Sequence, residues 1–371
     1  MSSLSSSYIH SMAATSQDHA ETPFRPKLGC VKDLAESIDL TSIPSKYAYF
    51  DNTTLNKDDI DVIVEGQIPT IDFSLLNSTF PDQRAKVIQD LREACQEWGF
   101  FLVINHGIPE SLMEKMLDMC KDYFDQTEEE KLKCGGEHVL APIRSGTSFN
   151  ASVEKVFFWR DFLKVWVHPQ FHSPPTPAGF SEISLEYCKR TRQVARELIK
   201  GISESLGLEE CYIDKAMDLE SCFQILIANL YPPCPQPELA MGMPPHSDHG
   251  LLTLLTQNET DGLQLNHNGK WVNVHALPNT FLVNTGDHLE ILSNGKYKSV
   301  VHRAVVNNKA TRISLAMAHG PNLEKAVTPV TELVDNENNP PLYHGIKYKE
   351  YLELQQSNQL SGKSILNHVR I

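Results

Sequence analysis

From about Leu219 onward the chain is written as short apolar segments separated by turn residues. Ile225 to Tyr231, Leu251 to Thr256, Gly262 to Asn266, Trp271 to Val274, Phe281 to Asn284, Lys298 to His302 and Arg312 to Ala318 have the length and composition of strands. Asn268-Gly269, Pro278-Asn279, Gly286-Asp287 and Asn294-Gly295 punctuate them. Gly, Asn, Asp and Pro favour turn geometries, each for its own steric reason. Many short strands at this spacing predict a sandwich or barrel.

The first half reads differently. Residues 25–66 are mixed and polar and are expected to pack outside the main body. Ile68 to Phe73 is a short strand. Asp82 to Trp98 is an amphipathic helix with Ile88, Leu91, Cys95 and Trp98 on one face, and Gly99 is placed to stop it. Phe100 to Ile104 is an apolar run of buried-strand length, ended by Asn105-His106-Gly107. A helix follows from Glu110 to Phe124, and Thr127 to Glu130 has the form of a capping box that opens another. The pattern weakens from Gly135 to Phe158. An apolar run then ends at Val167, prolines mark a loop, and Ser181 to Leu206 is a long helix that braces the sheet.

The expected fold class is mainly β with flanking helices (α+β). The expected divisions are an extension over 1–66, a helix-rich region over 67–175, a bracing helix and linker over 176–218, a β core over 219–322 and a helical tail over 323–371. The first 24 residues are Ser-rich without Lys or Arg, so they fit neither a secretory nor a mitochondrial leader and are expected to be disordered.

Charge narrows the partners. Lys and Arg number 33 against 47 Asp and Glu, a net of −14, which disfavours nucleic acid and anionic membranes. No apolar run reaches transmembrane length. The eight cysteines are scattered, with no C-x-x-C pair, which suits reduced thiols in the cytoplasm, or the nucleus, better than a disulfide framework. A small-molecule substrate and a monomer are expected.

Within the β region, His246 and Asp248 stand two residues apart. On a strand such residues share a face and can reach one ion. His302 can complete a set of two imidazoles and one carboxylate, the ligand set of non-haem Fe(II) oxygenases. Arg312 and Ser314 repeat the spacing with a fixed cation and a hydroxyl. A buried arginine needs a partner, and a carboxylate held bidentately would be one. Other readings remain on these residues alone. His246 and Asp248 also fit a polar turn, His302 a satisfied core histidine, and Arg312 an ion pair with a protein Asp or Glu.

The surrounding segments carry a resemblance. Asn229-Leu230-Tyr231-Pro232-Pro233-Cys234-Pro235, Trp271 to Val274, Val283 to Asp287, Leu292 to Arg303, Trp98 to Gly107 and Trp159-Arg160-Asp161 are similar, with the residues above, to the plant 2-oxoglutarate- and Fe(II)-dependent dioxygenases. The resemblance covers roughly residues 67–350. It implies a distorted double-stranded β-helix, a jelly-roll core, with the metal inside the barrel mouth. It implies Fe(II) on His246, Asp248 and His302, 2-oxoglutarate bound by Arg312 and Ser314 and lined by Tyr231 and Asn229, O2 as oxidant and ascorbate as reductant. His106 and Trp159 fall in family motifs, and their chemistry suits a structural role better.

The implied reaction converts 2-oxoglutarate to succinate and CO2 while a substrate C–H bond is oxidised, most simply by hydroxylation. Some iron halogenases of the wider superfamily have Gly or Ala where Asp248 stands, so the carboxylate favours oxygenation. Flavonoid-oxidising members commonly carry an aromatic residue at the position of Ala318. The departure here disfavours that role and points to an alkaloid, terpenoid, indole or phenolic, with a hormone such as a gibberellin or auxin as alternative. Phe149, Phe158, Ala318 and His319 are candidate pocket residues. His319 fits an exposed loop equally, and Phe162 and Trp166 fit core packing. An ascorbate-using oxidase of the aminocyclopropane-carboxylate type and a zinc hydrolase share the ligand set. Succinate release would exclude the first, and the second has no use for Arg312 and Ser314. A binding module is disfavoured by the complete ligand set.

Overall fold

The computed structural model describes residues 29–49, 60–61, 68–133, 136, 138–151, 153–335, 337–358 and 362–371. The expected disordered start lies outside them. The larger sheet has eight strands. Across it run Thr70–Asp72, Phe100–Ile104, Phe281–Thr285, Leu252–Gln257, Arg312–Gly320, Phe223–Tyr231, Asp161–His168 and Ile143–Thr147. A five-stranded sheet holds Ile60–Asp61, Lys270–Val274, Leu263–His267, His302–Ala304 and Met243–His246.

Alternation decides what each face of the large sheet does. Ile313, Leu315 and Met317, with Leu226, Ala228, Leu254 and Val283 on neighbouring strands, are buried in the core that also takes Leu91, Met116 and Leu198 from the helices. Arg312, Ser314 and Ala316, with Asn229 and Tyr231 beside them, have the opposite parity and look into the interior. The two sheets meet where Leu263, Leu265, Val272 and Val274 pack on Phe100 and Leu282. The helix Phe180–Ser205 braces the outer face with Val194, Leu198 and Ile202.

Most strand and helix expectations lie within a few residues of the elements observed. The helix Pro81–Glu93 widens into a π-turn over Ala94–Trp98 and stops at Gly99, whose φ is +61°. A Cβ there would sit 2.3 Å from the Lys298 carbonyl oxygen, so both the turn and the close approach require glycine. Thr127 and Glu130 form the reciprocal capping box.

Three local expectations are corrected. Residues 298–301 are not a strand: the Ser299 N–H donates to Glu290 (2.7 Å) and the Lys298 N–H to the Cys95 carbonyl (3.3 Å), so the ladder begins only at His302. Gly286-Asp287 is not simply a turn, since Asp287–Leu292 is a buried helix. Ile143–Thr147, hidden by its Gly and Ser, is a sheet-edge strand.

Candidate active site

Met243–His246 lies at the edge of the smaller sheet, where its two prolines cost no ladder hydrogen bond. Its last residue, His246, pairs directly with His302. Asp248 is past the strand end. It is placed by a loop whose carbonyls, at Asp248 and Gly250, accept the N–H groups of Asp287 and His288 (2.8 and 3.0 Å). The helix missed from sequence therefore aims the carboxylate.

The two Nε2 atoms each lie 3.6 Å from Asp248 Oδ1, and all three ligand atoms fall within 4.8 Å of one another. Each Nδ1–H donates to a backbone carbonyl, His246 to Pro244 (2.8 Å) and His302 to Val300 (3.1 Å). The tautomers are thereby fixed with Nε2 lone pairs turned inward. The Asn284 amide donates to Asp248 Oδ2 (2.9 Å), leaving Oδ1 for the centre. Burial, reinforced by the neighbouring His302, pulls His246 down to about 3, so it is neutral at physiological pH. Burial alone would raise the Asp248 carboxyl, but the histidines and Asn284 outweigh it and hold it below the usual range. Two imidazoles and a carboxylate converging from one side fit a divalent ion with open positions opposite.

Arg312 and Ser314 stand directly across the ladder from Tyr231 and Asn229. Arg312 is 2% exposed, donates to Gln257 Oε1 (2.5 Å from Nη2) and lies 5.1 Å from the Tyr231 ring centroid. Among the described residues no carboxylate is within ion-pair distance of it, so a protein acid is not its partner. Burial lowers its pKa. Asn229 donates to the Ser314 hydroxyl (3.3 Å). A buried guanidinium whose neighbours are a neutral amide oxygen and a tyrosine is a receptor for an anion, and it opens on the same cavity as the histidines. That chemistry fits the distal carboxylate of 2-oxoglutarate.

The cavity and the solvent at its mouth together span about 800 Å3. Phe100, Leu255, Leu263 and Leu282 give it an apolar wall, and Gln355 and Gln356 reach in from the helix Tyr348–Ser357. Gly362 grips the rim: its N–H donates to the Pro245 carbonyl (2.8 Å) and its carbonyl accepts the Ser247 N–H (3.2 Å).

Of the candidate pocket residues, Phe149 lines the cavity. Phe158 packs behind it with Met241. Ala318 shares parity with Arg312, but Tyr348 crowds the strand end beside it at Gly320, and Ala318 is not in the lining. His319 is neither in the cavity nor an exposed loop residue. It is buried in a strand on the helix-facing side, because it has the parity of Met317. Phe162 and Trp166 are largely buried in the Asp161–His168 strand, Trp166 edge-on to Phe223. His106 is held by Asn279 and Ile108, and Trp159 donates to the Pro232 carbonyl (3.2 Å). Sequence reasoning missed Asn284, Arg160 and Lys164 as site residues. The last two share a strand face with Phe162 at i, i+2 and i+4, the signal that could have found them.

Residues 222–321 match the model of the 2OG-Fe(II) oxygenase superfamily, and 68–182 match the N-terminal region of non-haem dioxygenases in morphine synthesis. The chain is 46% identical over 305 residues to 2-oxoglutarate-dependent dioxygenase 19 of Oryza sativa subsp. japonica, covering 82% of this chain and 90% of that protein. It is 34% identical over 364 residues to codeine O-demethylase of Papaver somniferum, covering 95% and 100%. Among solved structures, JOX2 in complex with 2OG, Fe and JA superposes with a TM-score of 0.83 at 30% identity, covering 93% of this chain and 98% of that one. Among the described residues no helix is long and apolar enough to cross a membrane.

Proposed function

The chain belongs to the 2OG-Fe(II) oxygenase superfamily, and on that premise we propose that it oxidises a small specialised metabolite beside an ion held by His246, Asp248 and His302. It is a 2-oxoglutarate-dependent dioxygenase. Fe(II), 2-oxoglutarate and O2 supply the oxidising power, with 2-oxoglutarate leaving as succinate and CO2 while a substrate C–H bond is oxidised, most simply by hydroxylation.

The chain's own residues supply position and exclusion. Arg312, Ser314, Tyr231 and Asn229 would seat the distal carboxylate of 2-oxoglutarate, fixing the orientation of its other end toward the three ligands. Asn284 holds one oxygen of Asp248 so that the other points to the centre. The apolar wall of Phe100, Leu255, Leu263 and Leu282 keeps water from the reacting carbon and receives the substrate body. Ascorbate is the proposed reductant, and a monomer in the cytoplasm or nucleus is the proposed setting.

One observation carries this reading: a buried arginine without a protein carboxylate opens on the cavity that holds the three converging ligands. Fe(II) or Mn(II) with 2-oxoglutarate should raise the melting temperature together, and succinate should form when substrate is supplied. No stabilisation by the pair would refute the reading. A hormone such as a gibberellin or auxin is the second reading. Both are carboxylic acids, and the buried Lys164 amine on the cavity wall favours it.

A further inference from the structure

We propose that the substrate carries a carboxylate, received by Lys164 on the side of the cavity away from Arg312. The proposal rests on the reading above, in which 2-oxoglutarate takes Arg312.

Arg160 is 1% exposed and lines the cavity. Its Nε donates to the Ser148 carbonyl (2.9 Å) and its Nη1 to Asn229 Oδ1 (2.9 Å), which ties it to the seat read for 2-oxoglutarate. Lys164 is 9% exposed and lines the same wall. Its ammonium donates to Gln356 Oε1 (2.7 Å) and stands 4.4 Å from the centroid of the Phe149 ring. No carboxylate among the described residues is within ion-pair distance of either. Arg144 adds a third cation, all three grouped around Phe162 with centroid distances of 5.2 Å for Arg160, 5.3 Å for Lys164 and 5.9 Å for Arg144. Two acids act on Arg160: Asp161, next to it in sequence, and Glu154. Glu154 Oε2 accepts the Ser148 hydroxyl (2.8 Å), its Oε1 has no partner, and burial favours its neutral form. Burial, with Arg144 and Arg160 beside it, pulls the Lys164 ammonium well below its ordinary value, and a carboxylate placed against it from the cavity would restore its charge.

That anion is not the same 2-oxoglutarate molecule. Lys164 pairs with Ile227, which pairs in turn with Ala316, so Lys164 lies two strands across and four residues along from Arg312. At sheet spacings this is roughly 10 Å across and about 13 Å along, beyond the reach of one five-carbon diacid that also meets the metal. The space between is bounded by Ile227, Phe149 and the apolar wall. The ligand that fits is an apolar or aromatic body bearing one carboxylate.

The test uses the full chain loaded with Mn(II) and 2-oxoglutarate under anaerobic conditions. Benzoate, phenylacetate and indole-3-acetate are titrated against their methyl esters. At least one acid is expected to bind tenfold or more tightly than its ester. Lys164→Gln should erase that preference, and Lys164→Arg should keep most of it. Acids and esters binding alike, none of them binding, or a preference that survives Lys164→Gln would overturn the proposal. The acid–ester comparison on the unaltered enzyme stands even if a variant fails to fold. Absence of any Mn(II)/2-oxoglutarate stabilisation would instead strike the reading beneath it.

Discussion

His246 and His302 face each other directly across two antiparallel strands, and their rings lie 4.3 Å apart. The register of one short ladder therefore decides whether the ligand pair exists, because a one-residue slip would turn one ring to the opposite face. Asp248 joins them from a loop held by a different element, so each ligand depends on a long-range contact.

Asp248→Ala removes the only carboxylate of the set. Substrate-dependent succinate formation should fall below detection while the circular dichroism spectrum is retained. An unchanged rate would sink the metal assignment.

Asn284→Leu leaves all three ligands but frees Asp248 Oδ2. Loss of such a supporting hydrogen bond costs about 10–100-fold in metal affinity. Mn(II) titration of the apoprotein reads this directly, and equal affinity would show that Asn284 does not orient the carboxylate.

Arg312→Gln should weaken 2-oxoglutarate binding by about 2 kcal/mol or more, some thirtyfold, as expected for truncating one side of a buried charge pair. Gly262→Ala should act on the same residue from outside the cavity. Its new Cβ would lie 2.9 Å from Arg312 Cδ and 2.9 Å from the Val305 carbonyl oxygen. The variant is expected to lose 2-oxoglutarate affinity while Mn(II) affinity stays within about twofold.

Acid should destabilise the fold. Burial pulls His288 and His319 each down to about 3. Between pH 3 and their unfolded value of about 6.5 the unfolded chain binds protons that the folded chain does not, so this stability is present above 6.5 and is lost as pH falls. Asp287, raised by burial to about 6, acts oppositely between about 4 and 6, where the folded state keeps a proton the unfolded state releases. Two histidines against one carboxyl predict a melting temperature that drops from pH 7 to pH 5. A flat or rising profile would contradict this balance.

The β core was legible because strand alternation and turn residues survive in the sequence, as in Arg312 to Ala318. The candidate metal ligands were picked out by type and spacing, although Asp248 joins the two histidines from a loop, not by strand parity. His319 was misread because one strand position more or less exchanges cavity for core. The Asp287–Leu292 helix was hidden behind a Gly-Asp pair that reads as a turn. Arg160 and Lys164 escaped because a charge within an apolar run gives no sign of which face is roofed. Only the packing of Phe149 and Gln356 over Lys164 shows that this one is.

Gln355 and Gln356 lie beyond residue 321, where the match to the oxygenase model ends. One wall of the cavity is thus contributed by chain outside that match, although Tyr348, Tyr351 and Gln355 of the same helix bond His249, Asp287 and the Ser247 carbonyl beside the candidate ligands. A duplicated gene could rewrite the cavity-facing positions of that helix and change which molecule is admitted, provided those three contacts are kept. Exchanging residues 323–358 between paralogues is then a direct route to transplanting substrate preference.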